Sequence, residues 1–123
     1  MSPRPLILVV DDDIPILVLM RNLLREFGFD TVTASNGAEA IQQAHAHKPS
    51  LILLDRNMPG MSGDEVLKVL RSDGGSSVPV LILSGEPIEP DEIQRIGATA
   101  AVLKPFDVPA LVQTIRAYTA PSS

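Results

Sequence analysis

Five short apolar runs punctuate the chain: LILVV (6–10), TVTA (31–34), LILL (51–54), VLIL (80–83) and AAVL (100–103). Each is four or five residues long, which suits a strand and is too short for a helix with one buried face. The segments between them have a different rhythm. Residues 14–27, 38–47, 64–72 and 108–118 carry apolar positions at three- and four-residue spacing, with Leu17, Leu24 and Phe27 as the buried stripe of the first. Strand and helix alternate along the whole length, and that alternation predicts an α/β chain with a parallel sheet. Four of the runs are almost wholly apolar, as strands covered by helices on both faces must be, whereas TVTA reads as an edge.

Starts and stops fit these elements. Gly28 closes the first helix and Asn36-Gly37 opens the second. Asp13 stands before Ile14-Pro15, where an aspartate caps a helix and proline is tolerated in the first turn. The stretch GEPIEPDEIQRIGA (85–98) is less regular. Twelve residues separate Ser84 from Gly97, and Pro87 and Pro90 break into that span. Proline suits a first turn but not a helix interior, so this helix is expected to start near Pro90 or Asp91 and to end by Ile96. It then has under two turns, with only Ile93 and Ile96 to pin it to the sheet, and is marginal by itself. With no linker and no low-complexity segment in view, the chain reads as one domain over residues 1–123, with a core of about 5–119 and a frayed tail at 120–123.

Composition narrows the classes. A chain of 123 residues buries roughly two-thirds of its unfolded surface and needs no staple. There are no cysteines, which removes disulfides and thiolate metal sites. No apolar run approaches the ~20 residues of a membrane span, and MSPRP lacks the apolar core of a signal peptide, so a cytoplasmic protein without membrane attachment is expected. A net charge of -5, with three Phe, one Tyr and no Trp, offers neither a basic stripe nor stacking platforms and argues against direct nucleic-acid binding.

In an open parallel sheet, ligands bind beyond the carboxyl ends of the strands. Here those ends carry Asp11-Asp12-Asp13, Asp55, Ser84 and Lys104-Pro105, so acids, a hydroxyl and an amine converge on one edge. The acids need a counter-charge, because two carboxylates about 4 Å apart repel by on the order of 4 kcal/mol at an effective dielectric near 20. This constellation resembles the receiver domain of two-component response regulators, the chemotaxis-type (βα)5 fold. The resemblance runs through ILVVDDD, LILLDRNMPGMSG, VPVLILSG and GATAAVLKPF, in that order, and covers nearly the whole chain. It implies one doubly wound, flavodoxin-like sheet of five parallel strands in the order 2-1-3-4-5.

The residues support a chemistry of their own. Asp11, Asp12 and Asp55 offer hard oxygen ligands without nitrogen or sulfur, a set that selects Mg²⁺ or Mn²⁺ over zinc. With its charge screened, Asp55 can attack phosphorus in line to give an acyl phosphate, Lys104 can hold the phosphoryl oxygens, and Ser84 can donate to them. The resemblance adds roles. Asp55 would be the phosphoacceptor, Asp12 would bind the metal directly, Asp11 through water, and Asn57 through its main-chain carbonyl. The donor would be a phosphohistidine on a sensor histidine kinase or a histidine phosphotransfer protein, and the output an unidentified protein partner. The receiver would be a switch that assists its own phosphotransfer and autodephosphorylation rather than an enzyme, a monomer or weak dimer, with Lys104-Pro105 usually cis.

One departure concerns Ala101, three residues before Lys104, where many receivers carry an aromatic ring that swings inward on activation. Without it, Ser84 is expected to act on the Gly85-Glu86-Pro87 loop, and the short helix after it to be the element whose order changes. Plainer readings stand beside these. Asp13 is a cap, Asn57-Met58-Pro59-Gly60 also serves as a turn, and His45 and His47 are the solvated tail of a helix. A flavodoxin-like FMN module would need a donor-rich loop after the first strand, and the triply acidic loop would repel its phosphate. A haloacid-dehalogenase-like phosphatase is the stronger alternative, with Asp11 as nucleophile and Ser84 and Lys104 as partners.

Overall fold

A computed structural model of the chain describes residues 4–72 and 77–120. The strands are β1 (Leu6–Val10), β2 (Asp30–Ala34), β3 (Leu51–Asp55), β4 (Val80–Ser84) and β5 (Ala100–Leu103). The helices that follow them in turn are α1 (Ile14–Glu26), α2 (Gly37–His47), α3 (Gly63–Ser72), α4 (Pro90–Ile96) and α5 (Val108–Thr119). All strand pairs are parallel and the order is β2-β1-β3-β4-β5.

Alternating side chains of the central strands feed two cores. Ile7, Val9, Leu53 and Leu83 pack against α1 and α5, where Leu17, Met20, Leu24 and Ile115 are buried. Leu8, Val10, Ile52 and Ile82 face the other way, onto Ala40 and Ala44 of α2 and Val66, Leu67 and Leu70 of α3. Each buried aliphatic side chain contributes about 1.5–3 kcal/mol, which is why β1, β3 and β4 have almost no polar position to spare.

Helix ends follow local chemistry. Asp13 accepts a bond from Ile16 N and caps α1; Asn36 accepts from Glu39 N at 2.8 Å and caps α2. Before α3, Ser62 Oγ accepts from Glu65 N (3.3 Å) while Glu65 accepts from Ser62 N (3.2 Å), a reciprocal pair that starts the helix soon after the site. α4 runs over the residues the prolines dictate, and none of its side chains is fully buried.

Two expectations change in detail. Met20 occupies the buried stripe of α1, whereas Phe27 caps the helix and is only half-buried, because the chain already leaves the helix there toward Gly28 at φ +96°. β5 is the second sheet edge, as the order 2-1-3-4-5 requires, but its residues are half-buried or exposed where an apolar run had been expected to be covered on both faces. Ala120 follows α5 as its cap, and the rest of the expected tail, 121–123, lies outside the described residues. Among the described residues no helix is long and apolar enough to cross a membrane.

Candidate functional site

Register brings the strand ends together. Val10 pairs with Leu54, Asp55 with Leu83, and Ser84 with Leu103, so Asp11, Asp55, Ser84 and Lys104 leave the sheet along one edge. Asp11 and Asp55 are buried, and Asp12 is exposed. One carboxylate oxygen from each of Asp11, Asp12 and Asp55 lies within 4.8 Å of the others.

Each group is held by a local bond. Asp11 Oδ1 accepts from Asp13 N at 3.0 Å, which leaves Asp13 to its capping role outside the cluster. Asp55 Oδ1 accepts from Asn57 N at 3.3 Å and from Lys104 Nζ at 3.1 Å. The same ammonium stands 4.0 Å from Asp11 Oδ2. Lys104 is itself fixed by its N–H donating to Ser84 O at 2.7 Å, and the Lys104-Pro105 bond is cis. Ser84 Oγ donates to Glu86 O (2.8 Å) and accepts from Glu86 N (3.1 Å), so the hydroxyl is engaged with the loop that enters α4.

The chain after Asp55 is also positioned. Met58 is buried in the core cluster on the α2 and α3 side, anchoring the turn through Gly60, whose φ is +78°. Gly63 approaches so closely that an added Cβ would lie 2.7 Å from Asp55 O. Electrostatically the site is under load. Burial first, and then the charges of Asp55 and Asp12, push the Asp11 carboxyl above its ordinary value, against the lowering effects of the Asp13 N–H and Lys104. Oxygen-only donors, excess negative charge and one ammonium suit a small hard dication and, once it is bound, a phosphoryl group.

Every site residue picked out by sequence reasoning therefore lies at this edge, with Asn57 contributing its N–H to Asp55. His45 and His47 lie elsewhere, exposed in the last turn of α2. One participant escaped notice. Arg56, next to Asp55, binds Asp64 through Nε and Nη2 and reaches Glu92 of α4. Its partners lie eight and thirty-six residues away, so only an acid in the first turn of α3 hinted at it.

Comparison with known proteins agrees with this geometry. Residues 7–116 match the family described as response regulator receiver domain. The chain is 38% identical over 116 residues to the DNA-binding response regulator MtrA of Mycobacterium tuberculosis, covering 93% of this chain and 50% of that one. It is 35% identical over 119 residues to the polar-differentiation response regulator DivK of Brucella anthropi, covering 94% and 96% respectively. The structure of the Vibrio cholerae chemotaxis protein CheY4 superimposes with a TM-score of 0.85 at 32% identity, over 94% of this chain and 98% of that one. The chain belongs to the response regulator receiver family, the phosphoacceptor modules of two-component signalling. It spans about half the length of MtrA and almost all of DivK.

The haloacid-dehalogenase alternative is thereby overturned: the family match covers the same acidic loop, and Lys104 sits closer to Asp55 than to Asp11. The FMN-binding alternative falls with it.

Proposed function

We propose that this receiver takes a phosphoryl group onto Asp55 from a phosphohistidine of a cytoplasmic sensor kinase or phosphotransfer protein. The observation that carries the reading is the contact of Lys104 Nζ with Asp55 Oδ1, 3.1 Å, inside a cluster of three carboxylates. Asp11, Asp12, Asp55 and the main-chain carbonyl of Asn57 would hold Mg²⁺ or Mn²⁺. The ion, when bound, neutralises acidic charge and offers a Lewis-acidic site to phosphoryl oxygens.

The protein's own part is positional. A carboxylate oxygen of Asp55 forms the new O–P bond as the P–N bond to the donor imidazole breaks, and the imidazole nitrogen keeps the electron pair and takes a proton from solvent. Lys104, already aimed at Asp55, shifts its charge-assisted bonds to the phosphoryl oxygens. Ser84 turns its hydroxyl from Glu86 O toward the same group. Asn57 and Glu86, both exposed, flank the approach of the water that later hydrolyses the acyl phosphate, so the lifetime of the mark is set within this chain. It is a switch without a turned-over substrate of its own.

α1, which follows the acidic loop, exposes Ile14, Ile16, Val18 and Leu19. Exposed aliphatics so close to the acids favour a protein donor that docks a helix there. The output is a second protein surface, and the regulator acts as a monomer or weak dimer.

Acetyl phosphate with Mg²⁺, acid hydroxylamine trapping and peptide mass mapping test the reading. Label is expected on Asp55, absent in excess chelator and in Asp55→Ala. Label on Asp11, or label that survives in Asp55→Ala, overturns it.

A further inference from the structure

Arg56 follows Asp55 directly and takes no part in the chemistry proposed above. Its backbone is fixed on both sides: its N–H donates to Leu83 O and its carbonyl accepts from Gly63 N, each at 2.9 Å. Its side chain reaches toward the helices. Nε and Nη2 bind Asp64 Oδ1 and Oδ2 at 3.1 Å each, a two-pronged grip that a planar guanidinium provides and an ammonium does not. Nη2 also donates to Glu92 Oε1 in the first turn of α4. These hydrogen bonds, to Asp64 first and then Glu92, hold the guanidinium above its ordinary pKa.

α4 depends on such a hold. It has seven residues, none fully buried, and Glu89 at its N-cap makes no side-chain capping bond. A helix of that length has no stability of its own. Its far end is fixed from α3, where Arg71 Nε donates to Gly97 O (2.9 Å) and Arg71 Nη1 to Val78 O (2.7 Å). Ile96 and Ala98 pack against the adjoining core. The near end is tied by Glu92 to Arg56, and the pair is sheltered, with side chains 22% and 31% exposed. α4 is thus hinged at Gly97 and latched at Glu92, and the latch is mounted on the residue beside the acceptor. The loop that leads into the helix starts at Ser84, both of whose hydroxyl bonds go to Glu86. A hydroxyl that turns toward a group on Asp55 gives up Glu86 O and frees that loop, and the Arg56 to Glu92 contact is then the remaining tie at this end of the helix.

We infer that Arg56 is a positioning residue of the switch, which holds α4 in its docked place through Glu92 and yields when Asp55 is modified. The inference rests on Asp55 as the acceptor, and its test separates the two.

Hydrogen exchange of residues 91–96 is measured in the whole chain, with and without Mg²⁺ and beryllofluoride, in the wild type, Glu92→Gln, Arg56→Gln and the double variant. In the unmodified protein Glu92→Gln should speed exchange of this segment about fivefold, equivalent to about 1 kcal/mol at 1.36 kcal/mol per decade. Exchange in α5 should not move. Arg56→Gln should speed it too, and the double variant should fall short of the sum of the single changes, since Glu92 also faces Arg95 at 3.7 Å and Arg56 also holds Asp64. Beryllofluoride should speed exchange of the same segment in the wild type but have no further effect in Glu92→Gln, while labelling of Asp55 by acetyl phosphate stays at the wild-type rate in that variant. Wild-type exchange and a wild-type response in Glu92→Gln overturn the latch, as do additive effects in the double variant. Failure of Asp55 to take label in the wild type instead overturns the acceptor reading and leaves the unmodified-state comparison to decide the latch.

Discussion

Lys104 Nζ stands 3.1 Å from Asp55 Oδ1, although forty-nine residues separate the two in sequence. The lysine enters from the sheet edge, the aspartate from the centre, and β4 lies between their strands. One ammonium therefore offsets part of the negative charge of two buried carboxylates, Asp11 and Asp55.

Lys104→Ala should leave the fold intact, because the side chain belongs to neither core. Mg²⁺ binding should not weaken, since a competing cation is gone. Beryllofluoride binding in the presence of Mg²⁺ should weaken about tenfold or more, in line with a lost charge-assisted hydrogen bond of about 1.5–3 kcal/mol. Calorimetric titration of both ligands checks this, and equal beryllofluoride affinity would rule out the assigned role.

Asp11 gives the site a pH signature. Burial raises its carboxyl pKa above 3.8, so the folded chain holds that proton more tightly than the unfolded chain. Its contribution to stability is fully present below about 3.8 and is lost as pH rises through the raised folded value. At neutral pH without metal, the charged Asp11 is a cost. Asp11→Asn should then melt higher than the wild type by roughly 4 °C, or about 1 kcal/mol, and the advantage should vanish in acid. The wild type should gain about 2.7 kcal/mol at a Mg²⁺ concentration of about 100 times Kd, a gain the variant lacks. Thermal melts across pH, with and without Mg²⁺, measure both effects.

Two glycines separate stability from chemistry. At Gly63 a Cβ would meet Asp55 O at 2.7 Å and Arg56 Cα at 2.8 Å, both backbone atoms that cannot swing aside. Gly63→Ala should cost about 1–3 kcal/mol and slow labelling of Asp55, because the acceptor strand must shift. Gly60 has φ +78° with open space around it. Gly60→Ala should cost about 1 kcal/mol by backbone strain and leave the labelling rate unchanged. Urea melts and acetyl phosphate kinetics on both variants distinguish them.

Ala101 lines a groove of about 510 Å³ between α4 and β5, together with Pro90, Ile93 and Ala100. Ala101→Tyr should fill that space and slow exchange in α4 while the labelling rate of Asp55 stays within about twofold of the wild type, since the ring is remote from the acids. A changed labelling rate with unchanged exchange would refute the separation.

Much of the site was readable because four of the five strands run apolar until they stop against a site residue. Val10 gives way to Asp11, Leu54 to Asp55, Leu83 to Ser84 and Leu103 to Lys104. Depth in the sheet was harder to read. AAVL looks like a covered strand because small apolar residues do not show how far the neighbouring helices reach, and α1 buries Met20 while Phe27, expected in its stripe, is half-buried at its cap. Contacts between helices left no local trace either. Arg56 touches acids on α3 and α4, and the engagement of Ser84 with Glu86 shows only once the loop has its conformation. The raised pKa of Asp11 likewise arises from burial, which no run of three aspartates reveals.

The parallel register has a further consequence for how this chain comes into being. Asp11 and Asp12 arrive after β1, Asp55 at the end of β3, Ser84 at the end of β4 and Lys104 only after β5. No hairpin or local fragment contains a working subset. A chain still emerging from the ribosome, or one whose last strand has come unzipped, presents Asp55 without the ammonium of Lys104 beside it. The contact between Asp55 and Lys104 is therefore a property of the assembled sheet and not of any one segment.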